Sequence, residues 1–218
     1  MGLNMRLEDC YNKHGCDKSS KHGYHMVYES YFDKKKPLKV LEIGIFKGES
    51  IKAHLDYLPN AELYGIDIFE RLQPSQVSVL ENERVHWIKA NSMDGDVSTL
   101  IKKSWGDIKF DIIIDDGAHW PKANLLTLKN LAPFLKEDGH YFIEDVWPLE
   151  KMSEAQRSTE RWLRFPRYNL KDNQELLDYL DENYRIGIHD LRHSSGCGDS
   201  YIINVQHKYV DKQNDSMV

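Results

Sequence analysis

Short apolar runs alternate with amphipathic stretches from residue 37 onward. The apolar runs lie at residues 38–43, 61–66, 84–89, 110–114 and 141–143, and the helical patterns begin near Gly48, Leu72, Asp96 and Pro121. Nearly continuous apolar runs are typical of parallel strands buried on both faces. The alternation therefore predicts a doubly wound, Rossmann-like α/β fold with helices on both faces of a mostly parallel sheet.

The pattern changes after Trp147. A polar helical stretch at 150–164 is followed by a second at 173–183 and then by two β-like runs, 184–191 and 200–206. The segment that joins these runs contains Gly196 and Gly198, which suit a hairpin loop. We therefore expect a seven-stranded sheet that ends in an antiparallel β-hairpin.

The first 36 residues carry no strand signal. Residues 24–32 predict a short helix with Tyr28 and Phe32 on one side. We expect a helical N-terminal cap or lid over residues 1–36, a main domain over 37–210, and a flexible polar tail over 211–218.

Composition narrows the function classes. The chain has 218 residues with 29 basic and 35 acidic side chains, so its net charge of -6 disfavours a nucleic-acid partner. No apolar stretch reaches the roughly 18 residues of a membrane helix, and the first residues lack a hydrophobic signal region, so we expect a cytoplasmic protein. Three cysteines form no even disulfide framework. No coiled-coil heptad is present, which leaves a homo-oligomer open.

Two acidic clusters follow two of the predicted strands. Asp115-Asp116-Gly117-Ala118-His119 comes after the run at 110–114, and Glu144-Asp145 comes after the run at 141–143. If the strands are neighbours, only about 4.8 Å separates them, and both clusters can reach one cation. Without a cation or bound protons, such carboxylates would repel one another. Helix capping ahead of the prolines is the alternative, but four carboxylates exceed what caps need, so we predict a metal-assisted site.

A nucleoside site is predicted at the first two strands. Gly44 and Gly48 lie in the turn after the first strand, where glycine lets the backbone approach a ligand. Asp67 ends the second strand, 23 positions after Gly44, where an acid suits ribose hydroxyls. The spacing is not that of a pyrophosphate loop, and Glu42 would be poorly placed beside a diphosphate. S-adenosylmethionine (SAM), which has a sulfonium and an ammonium but no phosphate, fits better.

These motifs resemble a known family. The segment Leu41-Glu42-Ile43-Gly44, with Gly48, Asp67 and the terminal hairpin, resembles the class I SAM-dependent methyltransferases over residues 37–207. More narrowly, four motifs resemble the metal-dependent sugar O-methyltransferases of the macrolide-sugar type: Asp17-Lys18, His22-Gly23-Tyr24, Asp115 to His119, and Ile143-Glu144-Asp145. Ala118 stands where that family often has Ser, and Cys16 stands where it has Thr.

The resemblance implies roles for individual residues. Asp116, Glu144 and Asp145 would bind Mg²⁺ (or Mn²⁺), and His119 would act as the base, with Asp116 beside it as the second catalytic residue. The candidate cofactor-binding residues are Glu42, Gly44, Phe46, Gly48, Asp67, Ile68, Asn91, Ser92, Asp94, Asp115 and Tyr24. For the segment at 91–94, an ordinary turn is an equally good interpretation. The implied reaction is methyl transfer from SAM to a sugar hydroxyl, on a nucleotide-sugar or a surface-polysaccharide precursor.

Other functions remain open from the sequence. The same metal chemistry would serve a catechol or another vicinal diol, and a methyltransferase-like scaffold without turnover would keep the fold. A nicotinamide-dependent nucleotide-sugar enzyme is disfavoured, because the chain lacks the G-x-G-x-x-G motif. Structural zinc is disfavoured near the N-terminus, because no C-x-x-C or H-x-x-x-H pair occurs among Cys10, His14, Cys16, His22 and His25.

Overall fold

The computed structural model describes residues 5–208 and has a seven-stranded mixed sheet. The strands are β1 (Lys39–Ile43), β2 (Glu62–Asp67), β3 (Val85–Lys89), β4 (Phe110–Asp115), β5 (Leu135–Ile143), β6 (Tyr184–Asp190) and β7 (Tyr201–His207). Their order is β3-β2-β1-β4-β5-β7-β6. The first five strands are parallel, whereas β7 pairs antiparallel with both β5 and β6. The predicted fold class and the closing hairpin are confirmed.

Helices cover both faces of this sheet. They are α1 (Leu7–His14), α2 (Asp17–Ser20), α3 (His25–Tyr28), α4 (Glu49–Tyr57), α5 (Val97–Trp105), α6 (Pro121–Leu131), α7 (Glu154–Thr159), α8 (Leu170–Asn183) and α9 (Arg192–Ser195). Alternate strand residues feed two cores: Ile112 and Ile114 pack with α1, α3 and α4, whereas Ile113 packs with α5, α6 and α8. Along residues 5–208, no helix has the length and apolar character that a bilayer crossing requires.

Two helical predictions were wrong. The helix expected near Leu72 is replaced by two 3-10 turns, Pro74–Gln76 and Ser78–Glu81. Gln73 precedes a proline and is extended, at φ -75° and ψ 150°, which interrupts a helix. The helix expected over 150–164 is broken into α7 and flanking 3-10 turns. Ser153 caps the restart at α7 by accepting from the Gln156 backbone N–H.

The N-terminal helices are built into the sheet's core. Leu7, Tyr11 and Tyr28 are fully buried and belong to the same apolar cluster as Phe142 of β5. The rings of Tyr28 and Phe32 stack with centroids 5.3 Å apart, but the helix predicted over 24–32 is shorter than expected, because α3 ends at Tyr28 and a turn leads on to Phe32. The proposed division into cap, domain and tail stays a prediction, and the predicted tail at 211–218 lies outside the described residues.

Candidate active site

The sheet brings the predicted motifs to one edge. Ile43 at the end of β1 pairs with Ile66 on one side and with Asp115 on the other, and Asp115 pairs with Ile143. The turns after β1, β2, β4 and β5 therefore meet at the carboxyl ends of four adjacent parallel strands. In open α/β sheets, ligands bind in the crevice at this edge.

Gly44 lets two of these turns cross. Its φ is +90°, and a Cβ added there would lie 2.2 Å from the backbone oxygen of Asp116. No other residue type fits that space without moving the Asp116 turn, so Gly44 fixes the distance between the predicted cofactor loop and the predicted metal loop.

We expect Gly44→Ala to lower the free energy of unfolding by about 2–5 kcal/mol, because it adds left-handed backbone strain to a steric overlap. Gly95→Ala is the matched control, since a Cβ at Gly95 would meet nothing within 4 Å. Urea denaturation of both variants checks this. Equal stability of the two would show that the turns separate without cost.

Asp67 organises the turn after β1. Its Oδ2 accepts hydrogen bonds from the backbone N–H groups of Ile45 (2.7 Å) and Phe46 (3.0 Å), and its Oδ1 accepts from Phe69 N–H (2.5 Å). Phe46 and Phe69 have φ values of 48° and 49°, a conformation that costs energy outside glycine. A carboxylate has about four lone-pair positions, so Asp67 retains capacity for ribose hydroxyls.

The other candidate cofactor residues are either exposed beside the crevice or hydrogen-bonded within a turn. Phe46 and Ile68 are 44% and 43% exposed, an unusual state for apolar side chains beside a crevice. Asn91 donates to Asp94 Oδ1 (2.9 Å), and Ser92 Oγ lies 2.9 Å from Thr127 Oγ1. These two contacts stabilise the turn after β3, and the adenine role of the segment stays a prediction.

Glu42 places a buried acceptor under the crevice. Its side chain is 2% exposed, and Ser50 Oγ donates to its Oε1 at 2.7 Å. Its Oε2 has no hydrogen-bond partner among the described residues. Burial raises the pKa of Glu42. An unpaired buried carboxylate oxygen fits a cationic cofactor such as SAM and does not fit a phosphate.

Asp116, His119 and Asp145 form a cluster, which we call the cation cluster. One ligand atom from each residue lies within 4.8 Å of the other two, and His119 Nε2 is 3.6 Å from Asp116 Oδ1. His119 and Asp145 have φ values of 60° and 52°, so both turns carry backbone strain. Two carboxylates supply the hard oxygen ligands that Mg²⁺ prefers. The two carboxylates therefore fit the predicted metal, whereas the His119 imidazole is a nitrogen donor that Mg²⁺ does not favour.

The electrostatics of His119 depend on this cluster. Burial lowers the pKa of His119, but the carboxylates of Asp145 and Asp116 outweigh burial, and the pKa is raised overall. Nδ1 is buried without a hydrogen-bond partner in the described part of the chain. A cation held by the two carboxylates would offset their charge, which favours the neutral imidazole that a base requires.

Lys18 is a buried member of the site, and its role was not predicted from the sequence. Its ammonium lies 2.6 Å from Asp116 Oδ2, donates to Glu144, and lies 3.6 Å from Glu42 Oε1. Burial lowers the pKa of Lys18, but these three carboxylates raise it well above its usual value. The side chain is therefore a permanent cation between the two loops.

Glu144 faces this lysine. It is 1% exposed and accepts hydrogen bonds from the Lys18 ammonium and the Tyr28 hydroxyl. Its carboxylate is not one of the three groups that form the cation cluster. Burial raises the pKa of Glu144 well above its usual value. Its predicted role as a metal ligand stays a prediction, and Lys18 holds it close to Asp116.

Tyr24 and Asp115 surround the cation cluster. The Tyr24 hydroxyl donates to Asp145 Oδ1 at 2.6 Å, and its ring stacks on His22 with centroids 4.9 Å apart. Tyr24 was predicted to bind cofactor, and its observed contacts lie on the metal side of the crevice. Asp115 is buried and accepts from Asn124 at 3.3 Å, and burial raises its pKa to about 6. Its predicted cofactor contact remains untested.

The α/β fold and the clustered strand-end motifs resemble those of class I SAM-dependent methyltransferases. Residues 41–146 match a family model described as a methyltransferase domain. A tetracenomycin-C rhamnosyl 3'-O-methyltransferase of Streptomyces olivaceus is 29% identical over 62% of this chain and 35% of its own length. The mycinamicin VI 2''-O-methyltransferase of Micromonospora griseorubida is 27% identical over 58% of this chain and 32% of its own length. The chain thus spans about a third of these curated relatives.

Solved structures share the fold. The MycE methyltransferase in complex with Mg and S-adenosylhomocysteine (SAH) is 22% identical, covers 96% of this chain over 56% of its own, and has a TM-score of 0.68. The SAH-bound methyltransferase PaMTH1 of Podospora anserina is 15% identical, covers 96% of this chain and 90% of its own, and has a TM-score of 0.59.

The predicted resemblance is confirmed: residues 41–146 match the methyltransferase-domain family model, and curated relatives of the chain are named O-methyltransferases. The predicted enzyme class and SAM agree with this family, and the MycE structure holds the predicted pair of a cofactor product and Mg. The roles of individual site residues stay predictions.

Proposed function

We propose that this protein is a SAM-dependent O-methyltransferase that methylates a sugar hydroxyl with the help of a divalent cation. The cation cluster carries this proposal, because it lies at the same sheet edge as the turn at Gly44 and the end of β2 at Asp67. The names of the curated relatives, which act on sugars of glycosylated natural products, support a sugar as acceptor. A nucleotide-sugar or a polysaccharide precursor is the finer form of the proposal.

The chain's own residues would divide the work. Asp67 and the turn that begins at Gly44 hold the nucleoside, and Glu42 balances the positive charge of SAM. Asp116, Asp145 and Glu144 are the carboxylates available to Mg²⁺, which when bound would lower the pKa of an acceptor hydroxyl. Orientation by these fixed side chains supplies part of the rate enhancement.

His119 would receive the hydroxyl proton. Its Nε2 is 3.6 Å from Asp116 Oδ1 and stands beside the metal ligands, which is where an acceptor oxygen must come. Tyr24 holds Asp145 by a hydrogen bond of 2.6 Å and thereby fixes the opposite side of the cluster. As the methyl group moves to the acceptor oxygen, SAM becomes neutral SAH at sulfur, and the proton stays on the imidazole.

Mass spectrometry of an acceptor panel tests the proposal. The panel contains nucleotide-sugars, glycosides and a catechol, each incubated with the protein, SAM and Mg²⁺ and, in parallel, with a chelator. A sugar product that disappears with the chelator supports the proposal. A methylated catechol alone would move the acceptor class to vicinal diols, and product that survives the chelator would remove the metal from the mechanism. SAH binding without any product would favour an inactive scaffold.

Asp116→Asn is expected to weaken Mg²⁺ binding by at least about tenfold, since an amide oxygen carries no charge for the cation. A Mn²⁺ or Mg²⁺ titration followed by calorimetry measures this without turnover. Asp107→Asn is the matched control, because Asp107 is exposed in the turn before β4. Unchanged affinity in Asp116→Asn would reject Asp116 as a metal ligand.

A further inference from the structure

An exposed segment beside the site combines positive charge with aromatic rings. Residues 161–168, which we call the arginine–aromatic segment, contain three arginines, three aromatic residues and no acid, in a chain of net charge -6. Trp162 and Phe165 are 48% and 43% exposed. The segment connects α7 to α8 and follows β5, whose end carries Glu144 and Asp145. It is therefore a local positive surface next to an acidic crevice.

Arg167 is the arginine of this segment that is tied to the site. Its guanidinium carbon lies 4.6 Å from the ring centroid of Trp120, 5.2 Å from that of Phe165 and 5.8 Å from that of Tyr168. Trp120 directly follows His119, the proposed base. Stacking on aromatic faces thus places a permanent cation against Trp120, the residue that follows the proposed base in the sequence.

The hydrogen-bonding edge of Arg167 is not used by the protein. Among the ion pairs and hydrogen bonds of residues 5–208, Arg167 has no carboxylate or carbonyl partner, whereas Arg192 pairs with Asp190 and Arg157 donates to backbone oxygens. A guanidinium that stacks on an aromatic ring through its face keeps its N–H donors free at its edge. There the donors match the spacing of the oxygens of a phosphate or a carboxylate. Arg167 has the properties of a preformed anion receptor.

The charge of the crevice makes this receptor useful for one class of acceptor. Asp116, Asp145, Glu144 and Glu42 all lie at the same sheet edge, and the one ammonium of Lys18 offsets only part of their charge, so an anionic acceptor meets repulsion there unless a further cation opposes it. A neutral glycoside requires no such group.

We propose that Arg167, held by Trp120 and Phe165, binds an anionic group of the acceptor, so that the preferred acceptor is a sugar bearing a phosphate or a carboxylate. This inference rests on the proposed function and specifies its acceptor. The purely structural alternative is that the stack anchors the arginine–aromatic segment to the start of α6. That role would change stability and would leave discrimination between charged and neutral acceptors unaffected.

Calorimetry of the protein with SAH and Mg²⁺ tests the inference with four probes: UDP-glucose, glucose 1-phosphate, methyl glucuronide and methyl glucoside. We expect at least one anionic probe to bind about tenfold or more tightly than neutral methyl glucoside, since hydrogen bonds to a charged group are stronger than those between neutral groups. The first two probes identify a phosphate as the recognised group, and the third identifies a carboxylate. Equal binding of charged and neutral probes, or binding of none, overturns the inference.

Arg167→Gln is expected to remove most of this preference, and Arg167→Lys to restore part of it through charge alone. Arg161→Gln is the matched control, because Arg161 stacks on Trp162 and does not contact Trp120. For the native protein, binding of the anionic probe should weaken as salt rises, which requires no variant to fold. An Arg167→Gln protein that keeps the native preference overturns the inference. SAH binding measured alone separates a failure of this inference from a failure of the proposed function. If the native protein does not bind SAH, the proposed function itself is contradicted.

Discussion

Replacing His119 with alanine is expected to lower kcat by a factor of about 10²–10⁴, the usual contribution of a positioned general base. SAM affinity should remain close to native, because the proposed nucleoside contacts come from the turns after β1 and β2. Single-turnover assays with the identified acceptor measure the chemical step, and calorimetry with SAH measures cofactor binding. The sharp separation of the two quantities is what the geometry predicts.

A control histidine makes this result specific. His193 is exposed on α9, the short helix between β6 and β7, and His193→Ala should leave both quantities near native values. Native turnover in His119→Ala would show that another group or water accepts the proton, and it would reject His119 as the base. Loss of SAH binding would instead show that His119 supports the turn that carries Asp116, whose Oδ1 is 3.6 Å from its Nε2.

Much of the fold was predictable because hydrophobic periodicity reports burial directly. The five apolar runs became β1 to β5, and Asp115 paired with Ile143, which brought the two acidic clusters to adjacent strand ends as the sequence predicted. The glycine in the turn after the first predicted strand also identified Gly44. Only a glycine allows its φ of +90° and its contact with the Asp116 turn. These features are encoded within a few residues of chain.

Contacts between residues far apart in the chain could not be predicted from the sequence in this way. Lys18 bonds to Asp116 and Glu144, which lie 98 and 126 positions further along the chain. The motif Asp17-Lys18 was the only signal, and it carried no role without the fold. The helix expected near Leu72 failed for a local reason, since the residue before Pro74 is extended and splits the segment into two 3-10 turns.

The position of Lys18 also explains how the acidic crevice is stable before any cation binds. Glu42 and Glu144 are 2% and 1% exposed, and burial raises the pKa of each. One buried ammonium in contact with both loops offsets part of their repulsion. The N-terminal segment therefore contributes charge to the site as well as apolar area to the core.

Lys18→Met is accordingly expected to lower the free energy of unfolding by about 3–5 kcal/mol in the absence of divalent cations, the cost of removing one partner from a buried ion pair. Urea denaturation with chelator measures it. Lys13→Met is the control: Lys13 contacts Asp56 with a side chain that is 55% exposed, so its loss should leave the free energy of unfolding close to the native value. A Lys18→Met protein as stable as native would mean that the buried carboxylates are neutral without it.

Adding divalent cations should then show whether Lys18 and Mg²⁺ act on the same carboxylates. In Lys18→Met, Glu144 loses its cationic partner while remaining beside Asp116, so Mg²⁺ can replace the missing charge. We expect Mg²⁺ to raise the unfolding midpoint of Lys18→Met more than that of the native protein, since ligand binding to the folded state stabilises it by mass action. Adding Glu144→Gln should recover part of the stability without metal and reduce the Mg²⁺ effect. Equal Mg²⁺ shifts in the native protein and Lys18→Met would show that Lys18 and the cation act on separate carboxylates.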